Sequence, residues 1–261
     1  MLKRRLGGVF FIGMNIMHLA ILMRSDLNMR TGKMIAQGGH AAMMVGLARF
    51  ERNDAGNLII SAEDVSDLRE FLKYPDVEVS FAYSQEMLLD GTHDDTDFHV
   101  VVDSGRTEFR GLHTMTCGAS GVFPAQQKKD TPYAAPDTLP SSARQYLIMS
   151  REAQPLKQTA IAMAGLGCLT EIEKVIRQDP TTKAFFVDQA GQPDLFEWMG
   201  KGYPKIGLQV PTHEALKYLA DCMTLSGINN TLVEYQGCMM VVTAPGAISD
   251  LAKFTGDLKL L

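Results

Sequence analysis

HLAILMRSDLNMRTGKMIAQGGHAA, residues His18–Ala42, is the stretch from which the fold is read. Its first seven residues, His18 to Arg24, are almost all apolar, as in a strand buried within a sheet. Thr31 stands where a helix cap belongs. From Gly32 to about Arg52, apolar or small residues recur at Met34, Ala41, Val45 and Ala48 with helical spacing. Strand followed by helix is the opening unit of an α/β layer.

Working outward, Ser61-Ala-Glu-Asp64 opens a second amphipathic stretch to Lys73 in the manner of a capping box. Val77 to Tyr83 alternates with period two, Phe98 to Val102 reads as another strand, and Leu112 to Thr116 as a further one. Asp90 to Asp97 is an acidic, turn-rich loop. Residues 118–142, with Gly118, Gly121, Pro124, Pro132, Pro136 and Pro140, have no periodicity and read as a linker. Beyond it the pattern restarts. Tyr146 to Ser150 is strand-like, Leu156 to Arg177 helical, Lys205 to Val210 a strand, and Thr212 to Leu225 a helix capped by Thr212. Thr231 to Tyr235 and Cys238 to Thr243 are strands, and Ala247 to Leu258 a closing helix.

The restart reads as an internal repeat. ILMRSDLNMRTGKMIAQGG (Ile21–Gly39) and LIMSREAQPLKQTAIAMAG (Leu147–Gly165) share one hydrophobic frame at an offset of about 126 residues. The expected fold is therefore α/β, with two similar halves that each carry a small mixed sheet flanked by helices. The expected divisions are a lead-in over 1–17, a first half over 18–117, the linker, and a second half over 143–261. A single domain with a long insertion between about residues 50 and 196 is the rival; an insertion would not need to start with a strand and helix of matching length.

The formal charge of −5 conceals an asymmetry. Residues 1–60 hold eight Lys and Arg against three Asp and Glu, and the other 201 residues hold 17 against 27. A local basic cluster is what phosphate binding needs, so a nucleic-acid substrate is permitted. Cys117, Cys168, Cys222 and Cys238 show no metal-ligand spacing, and fit buried thiols in a reducing compartment. The apolar run from Leu6 to Met14 is too short to span a bilayer.

Two constellations carry chemistry. Lys33, Gln37 and His40 lie at i, i+4 and i+7, on one face of the first helix near its anion-attracting N-terminus. Asp103-Ser-Gly-Arg-Thr107 directly follows the Phe98–Val102 strand, at a strand end where α/β sheets gather functional residues. His93, Asp94, Asp95, Asp97 and His99 are hard or borderline metal ligands; a solvated acidic loop accounts for them and no metal site is assigned, with metal-assisted hydrolysis as the rival among enzymes.

Met23–Ala42 resembles the signature V-R-x-D-L-x-M-x-x-G-K-x-A-A-Q-x-x-H-A of the archaeal and eukaryotic (type 2) peptidyl-tRNA hydrolases, with Ile35 for its first Ala. Asp103–Thr107 is similar to that family's D-A-G-R-T, with Ser104 for Ala. Glu197–Lys205 is similar to its W-E-x-x-G-Q-P-K stretch. Ala244 to Leu251 and Thr255 to Leu261 look like its C-terminal G-P-G-P-x-x-x-L and V-T-G-x-L-K-L-Y. The resemblance implies a mixed sheet flanked by helices and cleavage of the peptide–tRNA ester without metal or other cofactor. It carries functional roles onto Lys33, Gln37, His40, Asp103 and Thr107, and less securely onto Thr114, whose spacing from Thr107 is one residue short. Arg24, Arg30 and Arg106 are expected to contact tRNA phosphates. A cytoplasmic enzyme with tRNA as partner and no membrane association follows.

In the second half the matching positions are Thr159, Met163 and Leu166, and Tyr235 is followed only by Gln236-Gly237 before the next strand. Met and Leu cannot exchange protons or bind phosphate, so this half is expected to be inactive. The first half lacks the family's closing helix and has an acidic loop where a helix belongs. Family members usually pair, so this chain is expected to be either a monomeric pseudo-dimer or a homodimer. A non-catalytic tRNA- or peptide-binding module and a scaffold derived from the fold are the alternatives to an enzyme.

Overall fold

The computed structural model describes residues 18–90, 98–105, 108–121 and 141–261. The lead-in, most of the linker, the run Gly91–Asp97, and Arg106 and Thr107 lie outside the described residues.

The chain runs β1 (Leu19–Arg24), α1 (Thr31–Leu47), β2 (Glu51–Arg52), β3 (Leu58–Ile60), α2 (Ala62–Lys73), β4 (Val77–Ala82), α3 (Gln85–Asp90), β5 (His99–Asp103) and β6 (Thr114–Gly121). It continues β7 (Ala143–Ser150), α4 (Lys157–Val175), β8 (Arg177–Gln178), β9 (Phe185–Val187), α5 (Pro193–Gly200), β10 (Lys205–Val210), α6 (His213–Leu225), β11 (Asn230–Tyr235) and β12 (Cys238–Thr243). The short β13 (Gly246–Ala247), α7 (Ile248–Thr255) and β14 (Lys259–Leu260) complete it. The class is mixed α/β. Among the described residues, no helix is long and apolar enough to cross a membrane.

One sheet has the order β4-β1-β6-β5; the other includes β10-β7-β12-β11, with β14 added beside β10. In each, the first strand pairs parallel on one side and antiparallel on the other. A third sheet, β2-β3-β9-β8, joins a hairpin from either side of the 122–140 segment, through the antiparallel register Leu58↔Val187, Ile59↔Phe186 and Ile60↔Phe185.

Helices α1 and α4 lie against one another between the two larger sheets. Helix α1 packs on β5 and β6 and also reaches β10, while α4 packs on β11 and β12 and also reaches β4. Small residues allow this approach. A Cβ on Gly38 would lie 2.5 Å from Ile161 Cγ2, one on Gly165 lies 3.1 Å from the Ala42 methyl, and one on Gly46 would meet Leu169 Cδ2 at 2.7 Å. These contacts advance by four residues along both helices, so one ridge of each helix meets the other. The main core consequently draws on both sides of the linker, from Leu19, Ile21 and Ile35 to Leu147, Ile161 and Trp198. The outer face of the second sheet is covered by α6 and α7, which bury Leu216, Met223 and Leu251. On the outer face of the first sheet, only the small cluster of Ala82, Leu88 and Phe98 forms among the described residues.

Several elements differ from expectation. Thr31 is the first helical residue of α1; Arg30 holds the cap position in extended backbone, with no side-chain cap. The helix stops at Leu47, and Glu51 and Arg52 pair with Leu58 and Ile59 instead. A turn through Gly56, whose φ is +83°, reverses the chain there. Strand β6 runs through Gly118 to Gly121 by pairing with β1, and the Phe98 ring occupies the space where a Gly118 side chain would stand. Those four residues share a linker's composition but are strand. Helix α3 forms immediately before the acidic run, over residues for which no element was expected. Ser61 and Thr212 do cap their helices, accepting from Asp64 N and Ala215 N.

Gly38→Val tests the interhelical approach. Overpacking against the stiff, branched Ile161 should cost about 2 kcal/mol and lower Tm by roughly 5 °C, as read by thermal unfolding.

Candidate active site

Helix α1 presents Lys33 and Gln37 to the C-terminal end of β5, where Asp103 sits. Lys33 Nζ and Gln37 Nε2 both donate to Asp103 Oδ2, the latter at 2.8 Å. The backbone N–H of Gly105 donates to Oδ1 at 2.8 Å. The carboxylate thus collects three donors. Lys33 and Asp103 side chains are only 14% and 12% exposed, which strengthens the ion pair relative to one in open solvent.

Gln37 is held at its other end as well. Its Oε1 accepts from the Thr116 hydroxyl at 2.7 Å. Asp103 can only accept, so the amide NH₂ must face it and the amide oxygen must face Thr116. Thr116 reaches α1 because of a β-bulge. Val101 pairs with Cys117 but Val102 with Met115, leaving Thr116 as the extra residue. Beside it, the Cys117 thiol donates to the Gln37 carbonyl at 3.3 Å. Burial pushes this thiol up to about 12, so it is a packing group and not a nucleophile.

The loop after β5 depends on Gly105, whose φ is +74° and whose Cβ would meet Leu112 O at 2.4 Å. Gly111 N–H closes back on Gly105 O at 3.0 Å. The loop sets Phe109 with its ring centroid 5.7 Å from Lys33 Nζ, a cation–π distance.

Other predicted residues sit elsewhere. Thr114 is in register with Asp103, but its hydroxyl donates to Leu112 O at 3.0 Å. The Arg24 guanidinium is committed to Asp26, at 3.0 and 2.5 Å, and to the Met115 carbonyl at 3.0 Å, with 10% of its side chain exposed. It braces the turn after β1 and is not presented to a phosphate. Arg30, its side chain 82% exposed, lies at the head of α1 with its Nε 3.9 Å from Glu108 Oε1. His40 continues the face of Lys33 and Gln37 but turns to the second half, where its ring meets Tyr203 edge-on at 6.5 Å. Burial, with the charges of Lys205 and Lys33 nearby, holds its imidazole well below its usual range. Arg106 and Thr107 lie outside the described residues, as do His93, Asp94, Asp95 and Asp97. No metal-binding group of His, Cys, Asp and Glu occurs among the described residues.

At the matching end of the second half the chemistry differs. Thr159 is buried with its hydroxyl donating to Gln236 Oε1 at 3.0 Å. Met163 and Leu166 are core residues. The strand end is closed by a two-residue turn at Gln236 and Gly237, both with positive φ, in place of the Ser104–His113 loop.

Sequence reasoning missed Thr116, Phe109 and Lys205. The Thr116 signal would have been a bulge, which has no sequence signature here. Lys205 lies with its ammonium 4.3 Å above Trp198 and 3.0 Å from Met43 Sδ. Burial pushes it down to about 8. Between pH 8 and 10.5 the unfolded chain therefore binds a proton that the folded chain does not, and stability rises with pH across that window. Lys205→Met should flatten the rise, as measured by urea unfolding at stepped pH.

Residues 17–131, the stretch that contains this whole cluster, match the family model described as Peptidyl-tRNA hydrolase PTH2. No curated protein matches the chain.

Proposed function

We propose that the protein hydrolyses the ester bond of peptidyl-tRNA, without a metal, at the Lys33–Gln37–Asp103 cluster. The observation that carries this reading is the convergence of a lysine, an oriented amide and a carboxylate at one strand end. The family-model match over the same residues supports it.

Ester hydrolysis needs an aligned water and stabilisation of the oxyanion that forms when it adds. Asp103 orients or deprotonates the water. Water oxygen bonds to the ester carbonyl carbon, and negative charge develops on the carbonyl oxygen. Lys33 and the Gln37 NH₂ are the donors placed for that charge. Collapse breaks the bond to the ribose oxygen, which takes the proton that left the water, and the peptide departs as a carboxylic acid. Thr116 acts through Gln37 as a positioning residue. Arg30 and the uncapped N–H groups of the first turn of α1 face the phosphates of the tRNA end.

We further read residues 143–261 as a degenerate copy that supports the first, making the chain a pseudo-dimer. The matching element order, the shared strand order of the two sheets and the joint hairpin sheet support this. So does the apolar replacement of Gln37 by Met163. A monomeric mass in light scattering is expected.

Pure protein is incubated with labelled N-acetyl-aminoacyl-tRNA, with and without EDTA. Release of the acyl group insensitive to EDTA is expected. Lys33→Ala should lower turnover by roughly two orders of magnitude, and Thr159→Ala should change it less than about twofold, since position 159 is not asked to stabilise charge. Asp103→Asn should abolish turnover while Tm stays near wild type. A stable and fully active Asp103→Asn protein overturns the mechanism, and binding without turnover in the wild type favours a non-catalytic module.

Thr116→Val keeps the shape but removes the hydroxyl that fixes the Gln37 amide. A loss of roughly tenfold in kcat, with KM little changed, is expected from single-turnover and steady-state rates. Restoration by Thr116→Ser would identify the hydroxyl as the cause.

A further inference from the structure

Helix α1 has two chemically different ends. Its first two turns carry Arg30, Lys33 and Gln37. From His40 onward the same helix lines a cleft of about 240 Å³ that closes only where the two halves meet. Met43, Met44 and Leu47 come from α1, Leu58 from the joint hairpin sheet, and Met199 and Tyr203 from the α5–β10 segment of the second half. The imidazoles of His40 and His99 stand in the wall as well.

Among the described residues, no Lys, Arg, Asp or Glu lines the cleft. The cations nearby, Lys33 and Lys205, lie outside the lining, one paired with Asp103 and the other over Trp198 and against Met43 Sδ. A charged side chain would lose its hydration without compensation. Thioethers suit an apolar guest of variable shape, because methionine is polarisable and flexible. The volume is below that of pockets that enclose a whole drug-sized ligand, and matches one large side chain.

Position selects which apolar part of the substrate that is. Gln37 lies between Arg30, seven residues toward the N-terminus, and the cleft, which begins three residues toward the C-terminus. At a rise of about 1.5 Å per residue, the cleft's mouth is about 5 Å along the helix from Gln37 and its far end at Ala48 about 16 Å. The phosphate-bearing end of the substrate belongs with Arg30. The acyl end then runs toward His40.

Resting on the hydrolase reading, we infer that this cleft receives the side chain of the amino acid esterified to the tRNA and selects large apolar ones. The second half thus contributes to the site not through chemistry but through Met199 and Tyr203, which wall the specificity pocket.

The test compares N-acetyl-phenylalanyl-tRNA, N-acetyl-glycyl-tRNA and N-acetyl-aspartyl-tRNA as substrates. For the wild type, kcat/KM should favour the phenylalanyl substrate over each of the others by about tenfold or more, within the range one pocket contact set supplies. Met44→Trp, which fills the cleft, should erase the phenylalanyl-over-glycyl ratio, and Met199→Ala, which widens it, should lower that ratio at least threefold, a loss of the size expected for removing a few methylene-sized contacts. Equal losses on all substrates in Met44→Trp would mean that the cleft holds a part common to every substrate, such as the terminal adenosine, and would overturn the inference. An unchanged ratio would overturn it too. A second readout is independent of turnover. In protein labelled at methionine methyl carbons, N-acetyl-phenylalaninamide should shift the Met44 and Met199 resonances and N-acetyl-glycinamide should not. No shift with the phenylalanyl amide sinks the pocket assignment. Shifts in a protein that cleaves no peptidyl-tRNA would leave the pocket standing and sink the hydrolase reading instead.

Discussion

The contact on which the rest of the structure depends is the close approach of α1 and α4 through Gly38, Ala42, Gly46 and Gly165. Helices this near can sit as one layer shared by two sheets, and each then buries a second face that a lone α/β half would leave to solvent. The gain is packing and apolar burial on both sides of α1, where residues such as Ile35, Ala41 and Met43 are almost fully enclosed. The constraint is severe, because any side chain at Gly38 or Gly46 would run into Ile161 or Leu169.

Rigid placement of α1 has a direct consequence for the site. Lys33 and Gln37 must meet a carboxylate carried by a different element, 70 and 66 residues away in sequence. The bulge at Thr116 supplies the remaining restraint by turning a strand residue toward the helix. Where the restraints differ, the polar cluster is absent among the described residues. In the second sheet a tight turn replaces the long loop, and Met163 and Leu166 join the core. Both helices are almost equally well packed, so packing alone does not distinguish the two strand ends. The polar partners do.

The same architecture places a polar and an apolar environment along one helix. The N-terminal turns of α1 stand at the Asp103 strand end and carry Arg30, Lys33 and Gln37, whereas its later turns face Leu58, Met199 and Tyr203 across the seam. His40 belongs to the second environment although its spacing puts it on the face of Lys33 and Gln37. Burial and two nearby cations keep it neutral there, a state suited to lining a pocket and not to holding an anion.

What the sequence determined by itself was local and periodic. Strands such as Lys205–Val210 and Cys238–Thr243, and helices with a capping hydroxyl at Ser61 or Thr212, follow from side-chain period and from a donor–acceptor pairing within one turn. The pairing of Lys33 and Gln37 on one face was legible for the same reason. The joint hairpin sheet was not, because three-residue strands such as Leu58–Ile60 and Phe185–Val187 pair with each other across 124 residues of intervening chain. Gly118–Gly121 has a linker's composition, yet is a strand because β1 and the Phe98 ring occupy its surroundings. The role of Thr116 over Thr114, the commitment of Arg24 to Asp26 and Met115, and the burial of Lys205 over Trp198 were decided only by tertiary structure. Each depends on which distant groups compete for one donor or displace its water, and no local pattern records the outcome of that competition.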